Sequence, residues 1–321
     1  MKTAVVLISY NQENFITDAL EGIRLQTVTP DEVIIADDCS KDQTQQIIEN
    51  YVQKYQLQEK WTLLFNKTNK GINLNLQNGI DHTSSEILIV MSGDDISLPN
   101  RIEVALELFK QYPNLHIVST SIDKIDENRN IVGELSYMNE IIDDAKKVIK
   151  AGMPNVFPVG QNWRRSIFDK FGKLPHTVPN EDDQITFRAI IDGGIFCSSQ
   201  KTILYRVHSK SASSWLRNNQ SDAEYFIRFT ADMDVRKKHM ELWINALSAI
   251  NRPDRQSLIK LVEKKISLYS MLGKLEDYPI VKRISYLFTH FNATGAREKF
   301  YIVFGKTGVL YWRKLKRLLG R

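Results

Sequence analysis

The sequence predicts an α/β fold, a mostly parallel sheet flanked by helices with a helical region appended at the carboxyl end. Two observations carry this. Between residues 3 and 122, five short apolar runs alternate with helix-length stretches. The runs are continuous rather than alternating, as strands covered on both faces require. After about Asn219 the strand pattern stops and only helical periodicity remains.

The elements follow in order. TAVVLIS (3–9), EVIIAD (32–37), WTLLFN (61–66), EILIVMS (86–92) and LHIVSTSI (115–122) read as strands. The stretches Glu13 to Gln26, Asp42 to Tyr55, Ile72 to Asp81 and Asn100 to Tyr112 read as helices, the last opened by Pro99. Strand and helix alternating at this spacing form a βαβ series, whose ligands bind outside the carboxyl ends of the strands. The middle of the chain is less regular. DENRNIVGEL reads as a turn between extended pieces, NWRRSIFDKFG as a helix, EDDQITFRAIIDGG as a helix stopped by Gly193 and Gly194, and IFCSSQKTILYRVH as a hairpin. Two long helical stretches follow, 222–250 and 254–272. The expected organisation is a catalytic-type domain over 1–216, with halves of about 1–123 and 124–216, and a helical region over 217–321.

Composition bounds the function. A chain of 321 residues, 42% hydrophobic and 25% charged, can bury an ordinary globular core. Two cysteines, Cys39 and Cys197, make no disulfide framework and point to a reduced, cytoplasmic compartment. No signal-peptide pattern and no membrane-spanning run is expected. The net charge of +5 is unevenly spread. Residues 291–321 hold eight Lys or Arg and one Glu, so the rest of the chain is slightly acidic. That argues against a nucleic-acid-binding body.

Four motifs carry chemistry. In EVIIADDCSKDQT a strand delivers Asp37 and Asp38 to its carboxyl end, while Ser40 or Asp42 can cap the following helix. A carboxylate there can accept from a base N–H or a sugar hydroxyl. In SGDD, Asp94 and Asp95 are adjacent and repel unless screened or bridged. A divalent cation, Mg²⁺ or Mn²⁺, removes that cost and takes oxygen ligands, including substrate phosphates. A solvated acidic turn is the bland alternative. In PNEDDQITFRAI, Glu181, Asp182 and Asp183 open a helix, which suits its dipole. Asp182 shares a face with Ile185, so it can also point into a cleft as a general base. In LYRVHSKSASS, His208 is a core or surface histidine, or a further metal or phosphate ligand.

Taken together and in order, these motifs resemble a family 2 glycosyltransferase of the GT-A fold, a Rossmann-like α/β sheet, over about residues 3 to 210. The resemblance is carried by VVLISYNQENFITDALEGIRLQT, DDCSKDQT, NKGINLNLQNGI, SGDD before LPNR, EDDQITFR and YRVHSKSAS. It implies a nucleoside-diphosphate sugar donor, a glycan or lipid-linked acceptor of the bacterial surface-polysaccharide kind, and a Mn²⁺ or Mg²⁺ cofactor. Residue by residue, it places Ile8 to Tyr10 at the base pocket. Asp38 reads the base, with Asp37 as alternative, and the segment from Gly71 lies beside the nucleotide. Ser92, Gly93, Asp94 and Asp95 form the DXD-like element, with Asp94 the first metal ligand. Asp182 is the catalytic base, and His208 closes over the metal–diphosphate site. Two departures stand out. Ser92 replaces the usual first Asp, leaving a ribose contact to its hydroxyl. Leu76 and Gln77 replace an Arg-Asn pair, leaving Lys70, Arg164 or Arg165 to supply charge.

One base and one displacement imply inversion at the anomeric carbon. Trp163 reads as either a core residue or a sugar-stacking ring. The tail GVLYWRKLKRLLGR places Tyr311, Leu315, Leu318 and Leu319 on one helical face, with Trp312 at its edge and Arg313, Lys314, Lys316 and Arg317 around them. Such a pattern over 305–321 predicts an anionic membrane surface as partner, hence a peripheral position on the inner face of the membrane. A terminal helix packed on the body is the alternative. A sugar nucleotidyltransferase is disfavoured, because SYNQEN lacks the glycine-rich phosphate loop. A catalytically inactive nucleotide- or glycan-binding module, or a membrane-associated scaffold, is the reading from a different class.

Overall fold

The computed structural model describes residues 1–179, 181–208, 221–290 and 294–318. The end of the YRVHSKSAS motif, the expected boundary near 216 and Leu319 lie outside these residues. The chain divides into two compact units, Met1–Asp143 with Val156–Ala212, and Asp144–Asn155 with Ser213–Arg321. No linear boundary anticipates that 144–155 belongs with the helical unit.

In the first unit the apolar runs become β1 (Thr3–Ser9), β2 (Glu32–Asp37), β3 (Trp61–Phe65) and β4 (Ile87–Ser92). They pair in parallel in the order β3-β2-β1-β4. Nearly every residue of β1 and β2 is buried, which explains why their sequences do not alternate. Helices α1 (Ile16–Arg24), α2 (Thr44–Lys54), α3 (Ile72–Asp81) and α4 (Arg101–Gln111) follow the strands. Ile16, Leu20 and Ile23 of α1, and Ile48 and Val52 of α2, join Val5, Leu7, Val33 and Ile35 in one core. Gly79 of α3 lets that helix lie close to the sheet, since a Cβ there would sit 2.7 Å from Val6 Cγ1.

The rest of this sheet is mixed. It adds β5 (Ile96–Ser97), β6 (Ile117–Ile125), β7 (Ile131–Leu135), β8 (Glu140–Ile142), β9 (Gln161–Arg164) and β10 (Ile195–Arg206). Antiparallel β9 sits between β4 and β6, and β10 runs parallel to β6. Two expectations change here. NWRRSIFDKFG is not one helix, because Gln161–Arg164 pairs as β9 before α6 (Ser166–Phe171) begins. IFCSSQKTILYRVH is not a hairpin. Its polar SSQK stretch is absorbed by register shifts within the single strand β10, which pairs β6 throughout and ends beside β5. The acidic stretch opens α7 (Glu181–Ile191), as expected.

The helical unit contains α5 (Ala145–Ala151), α8 (Asp222–Ser248), α9 (Arg255–Gly273), α10 (Ile280–His290) and α11 (Ala296–Leu318). Ser221 and Glu224 start α8 with a reciprocal capping box. Helix α11 is broken at Gly305, whose φ is 60°. Met240, Trp243, Val262, Leu268, Ile302 and Val309 are buried in this unit. No helix among the described residues is long and apolar enough to cross a membrane.

Candidate active site

The carboxyl ends of β1, β2 and β4 converge on a cavity of about 310 Å³. Ile8, Ser9 and Tyr10 reach it from β1, Asp38 from β2, Gly71 from the start of α3, and Ser92 and Asp94 from β4. His208, just beyond β10, also lines it. Tyr10 is 45% exposed at this cavity, where a flat ring is available for stacking.

Backbone turns build this arrangement. Asn11 has φ 53°, a left-handed conformation that asparagine tolerates. Its N–H donates to Ser40 Oγ at 2.8 Å and its Oδ1 accepts from Lys41 N–H at 2.7 Å, tying the turns after β1 and β2 together. The two aspartates at the end of β2 divide their work. Asp37 is fully buried and accepts from Ser9 Oγ, Ser40 N–H, Ser40 Oγ and Gln45 Nε2. Its acceptor positions are spent on the fold. Asp38 lines the cavity and accepts from Asn66 Nδ2 at 3.0 Å, Lys70 N–H at 2.8 Å and Gly71 N–H at 2.7 Å. That uses three of roughly four acceptor positions on a carboxylate and leaves one for a ligand.

The SGDD turn separates its residues by direction. Asp94 faces the cavity, and its Oδ2 lies 3.0 Å from His208 Nε2. Burial opposes charge on Asp94, but hydrogen bonds from His208 and Ser92 outweigh it and hold the carboxyl below its ordinary value. Asp95, expected beside it as a ligand, does not line the cavity. It is buried, and its Oδ1 accepts from the Arg206 N–H at 2.9 Å. Burial, and then the charge of Asp94, push its carboxyl well up. Consecutive residues of a tight turn point apart, so one carboxylate serves the cavity and the other anchors β10. Gly93 is a packing glycine. A Cβ there would lie 2.4 Å from Gln12 Oε1 and 2.7 Å from Ile16 Cδ1.

Several contributors have no signature in the sequence. Arg206 is 1% exposed and bonds Asp94 O through Nε, Asp18 Oδ2 through Nη2, and the carbonyls of Asp126 and Glu127 through Nη1. It clamps the SGDD turn. Phe15 packs on the His208 ring at 4.7 Å between centroids. Gln12 lines the cavity, donates to Ser92 Oγ at 3.2 Å, and leaves its buried Oε1 without a partner. Their signal is spatial, since Arg206 and Asp18 are 188 residues apart.

Asp182 stands in the first turn of α7 and is not among the cavity's lining residues. Burial raises its carboxyl above the ordinary value. The segment leading to it is tied to the cavity's own helix. Asn73 of α3 donates to Pro175 O at 2.7 Å and Val178 O at 2.9 Å, and Gln77 accepts from Leu174 N–H at 2.8 Å. Arg164 and Arg165 are placed elsewhere. Arg164 pairs with Glu86 and Arg165 donates to Ser85 O and Ile80 O, near the amino end of β4. They therefore do not replace the missing arginine. Trp163 is a core residue, 3% exposed, its Nε1 donating to Gln161 Oε1.

Among the described residues no group of three or more His, Cys, Asp or Glu is arranged to hold a metal. The donor set still fits a divalent cation. An ionised Asp94, a neighbouring His208 and an unpartnered Gln12 Oε1 all belong to one cavity. Mg²⁺-type sites commonly use one or two carboxylates and complete their shell with substrate phosphates and water.

The chain is similar to an Escherichia coli UDP-Gal:alpha-D-GlcNAc-diphosphoundecaprenol beta-1,3-galactosyltransferase, 26% identical over 45% of this chain and 54% of that one. The chain spans about half the length, or less, of several curated relatives it matches. Among solved structures it resembles Staphylococcus aureus TarS bound to UDP-GlcNAc, with TM-score 0.61 at 16% identity, covering 100% of this chain and 93% of that one. A Pyrobaculum calidifontis mannosyltransferase with GDP-Man and Mn²⁺ aligns with TM-score 0.52 at 14% identity, over 100% and 88%. These likenesses support the GT-A fold. The model of glycosyl transferase family 2 matches residues 4–172, more than half of the sequence, and the chain belongs to that family.

Proposed function

We propose that this glycosyltransferase moves a sugar from a nucleoside-diphosphate donor to an acceptor hydroxyl with inversion at the anomeric carbon. The observation that carries the reading is the cavity's charge. Asp38 and Asp94 line it, and no Lys or Arg among the described residues does. Two carboxylates oppose the entry of an unaccompanied diphosphate. A divalent cation, Mn²⁺ or Mg²⁺, held by Asp94 and His208 would offset that charge and stabilise the leaving diphosphate.

The chain's own groups supply the rest. Tyr10 stacks on the base while the free acceptor position of Asp38 takes a base N–H. Ser92 Oγ meets the ribose, and Gly71 brings the start of α3 beside the nucleotide. Asp182 accepts the proton of the acceptor hydroxyl as that oxygen bonds to the anomeric carbon. The carbon–oxygen bond to the diphosphate breaks, and its electron pair leaves with the nucleotide. A single proton acceptor and a single displacement give inversion. The hydrogen bonds from Asn73 to the 175–178 segment support placing Asp182 toward the cavity.

The acceptor is a growing or lipid-linked glycan of a bacterial surface polysaccharide, and the site works at the cytoplasmic face of the membrane. The catalytic domain spans 1–216 and the helical region 217–321. Exposed Phe304 and Tyr311, with Lys314 beside them, support an anionic membrane surface as partner of the tail. Arg313, however, turns inward to Asp222 at 2.8 Å and is no part of that face. The function is tested by screening nucleotide sugars for Mn²⁺-dependent release of nucleoside diphosphate. Release by the natural chain, abolished in Asp94→Ala, supports the reading, and no release from any donor contradicts it.

A further inference from the structure

The helical unit holds a second cavity, of about 270 Å³, that glycosyl transfer leaves unused. Arg228 and Arg236 of α8, and Arg297 and Lys316 of α11, line it. Two acids line it as well, and both are engaged. Asp232 accepts from Arg236 Nε at 2.7 Å. Glu298 takes the buried Lys265 ammonium on both oxygens at 2.7 Å, and the Gly295 N–H at 2.8 Å. Neither acid is left to neutralise Arg297 or Lys316. Partial burial, and then Arg297 and Arg236, push the Lys316 ammonium down.

One further donor has no partner. Trp312 Nε1 is buried and unpartnered, and its ring lines the cavity beside the buried Tyr269, whose hydroxyl is engaged with Arg236. The remaining wall is apolar, with Phe229 and Tyr301 packed edge to face at 5.3 Å. A buried donor without an acceptor is costly, and so are Arg297 and Lys316 brought together without an anion. One ligand class removes both costs.

We propose that this cavity binds an organic phosphate or diphosphate, its head between Arg297 and Lys316 and its body against Phe229, Tyr301 and Trp312. Phosphate oxygens accept from a guanidinium fork, an ammonium and an indole N–H together. The volume lies near the lower edge of the roughly 300–1,000 Å³ usual for small-ligand pockets, which leaves room for a head and part of a substituent. A neutral sugar would leave the charges of Arg297 and Lys316 without an anion. This site is independent of the donor cavity and stands whatever the donor proves to be.

The test uses the full chain in EDTA, with pyrophosphate and a water-soluble prenyl diphosphate as probes. Calorimetry should show saturable binding. Arg297→Gln combined with Lys316→Gln should weaken it at least about tenfold, with an unshifted thermal midpoint. Tryptophan fluorescence should respond to the same probes, and the response should vanish in Trp312→Phe. Tighter binding of the prenyl diphosphate assigns the head group to a lipid, and equal affinity assigns it to a soluble phosphate. Either supports the site. No saturable binding of either probe, or binding unchanged in the double variant, overturns it.

Discussion

The two cavities are nearly equal in volume, about 310 and 270 Å³, and opposite in charge. The first sits where parallel strands end. Its Asp38 is held by the backbone amides of Lys70 and Gly71 and its Asp94 by His208, so topology places them. The second is walled by side chains of three helices, and its acids are consumed by cations of the same unit. A strand-end cavity offers fixed acceptors suited to a cation and a polar ligand. A helix-walled one offers side-chain cations suited to an anion. On the two proposals made above, attraction for phosphates arises in two ways, through a bridging cation in one unit and through basic side chains in the other.

The largest effect should come from the buried Lys265–Glu298 pair of the helical unit. Lys265→Met leaves Glu298 charged and buried, which should cost about 3–5 kcal/mol in chemical denaturation. Adding Glu298→Gln should recover a large part of it. A loss below about 1 kcal/mol would mean the pair is solvated, and the contrast between the units would fail. Next is Asp182→Ala. Turnover should fall at least about 10²-fold, while nucleotide affinity holds. Unchanged turnover removes Asp182 from the chemistry.

A smaller effect separates positioning from contact at the strand-end cavity. Gly93→Ala pushes on Gln12 and Ile16, whose side-chain ends can yield, so stability should drop by about 1 kcal/mol. Nucleotide affinity should fall in the same variant, because Gln12 moves. Intact affinity would show that Gln12 does not matter to the ligand. The subtlest test is pH. Burial favours the protonated form of Asp182, so its charge is lost at higher pH than for an exposed aspartate. The rate should therefore decline on the acid side from above 3.8, the ordinary value, and Asp182→Glu should move that limb. Folding stability gains in the opposite sense, rising as pH falls through the raised value and levelling below the unfolded one. An acid limb identical in Asp182→Glu assigns the titration to another group.

Much of the sheet was legible because burial on both faces writes itself into sequence as unbroken apolar runs. The bounds of β1, β2 and α3 coincide with TAVVLIS, EVIIAD and Ile72–Asp81. The strands added later were not legible. β9 has four residues, three of them polar, and the polar middle of β10 imitates a turn while remaining in the ladder. At the site, the convergence of Tyr10, Asp38 and Asp94 followed from where the strands end, while His208 came only from the family resemblance. Residue pattern alone did not separate the members of each Asp pair, because turn direction decides it, and the preference for Asp38 and Asp94 also came from the resemblance. Arg206, Gln12 and Asn73 act through partners from 80 to 188 residues away and leave no local pattern. The cation-lined cavity is hidden for the same reason. Its basic residues look, one helix at a time, like ordinary solvated faces.

The most direct test is calorimetric titration of UDP or GDP into the protein with Mn²⁺ and then with EDTA. The cavity's two carboxylates predict binding at least about tenfold tighter with the metal, with that difference lost in Asp94→Ala. Equal affinity with and without the metal, or a metal effect that survives Asp94→Ala, would contradict a cation held by Asp94 and His208.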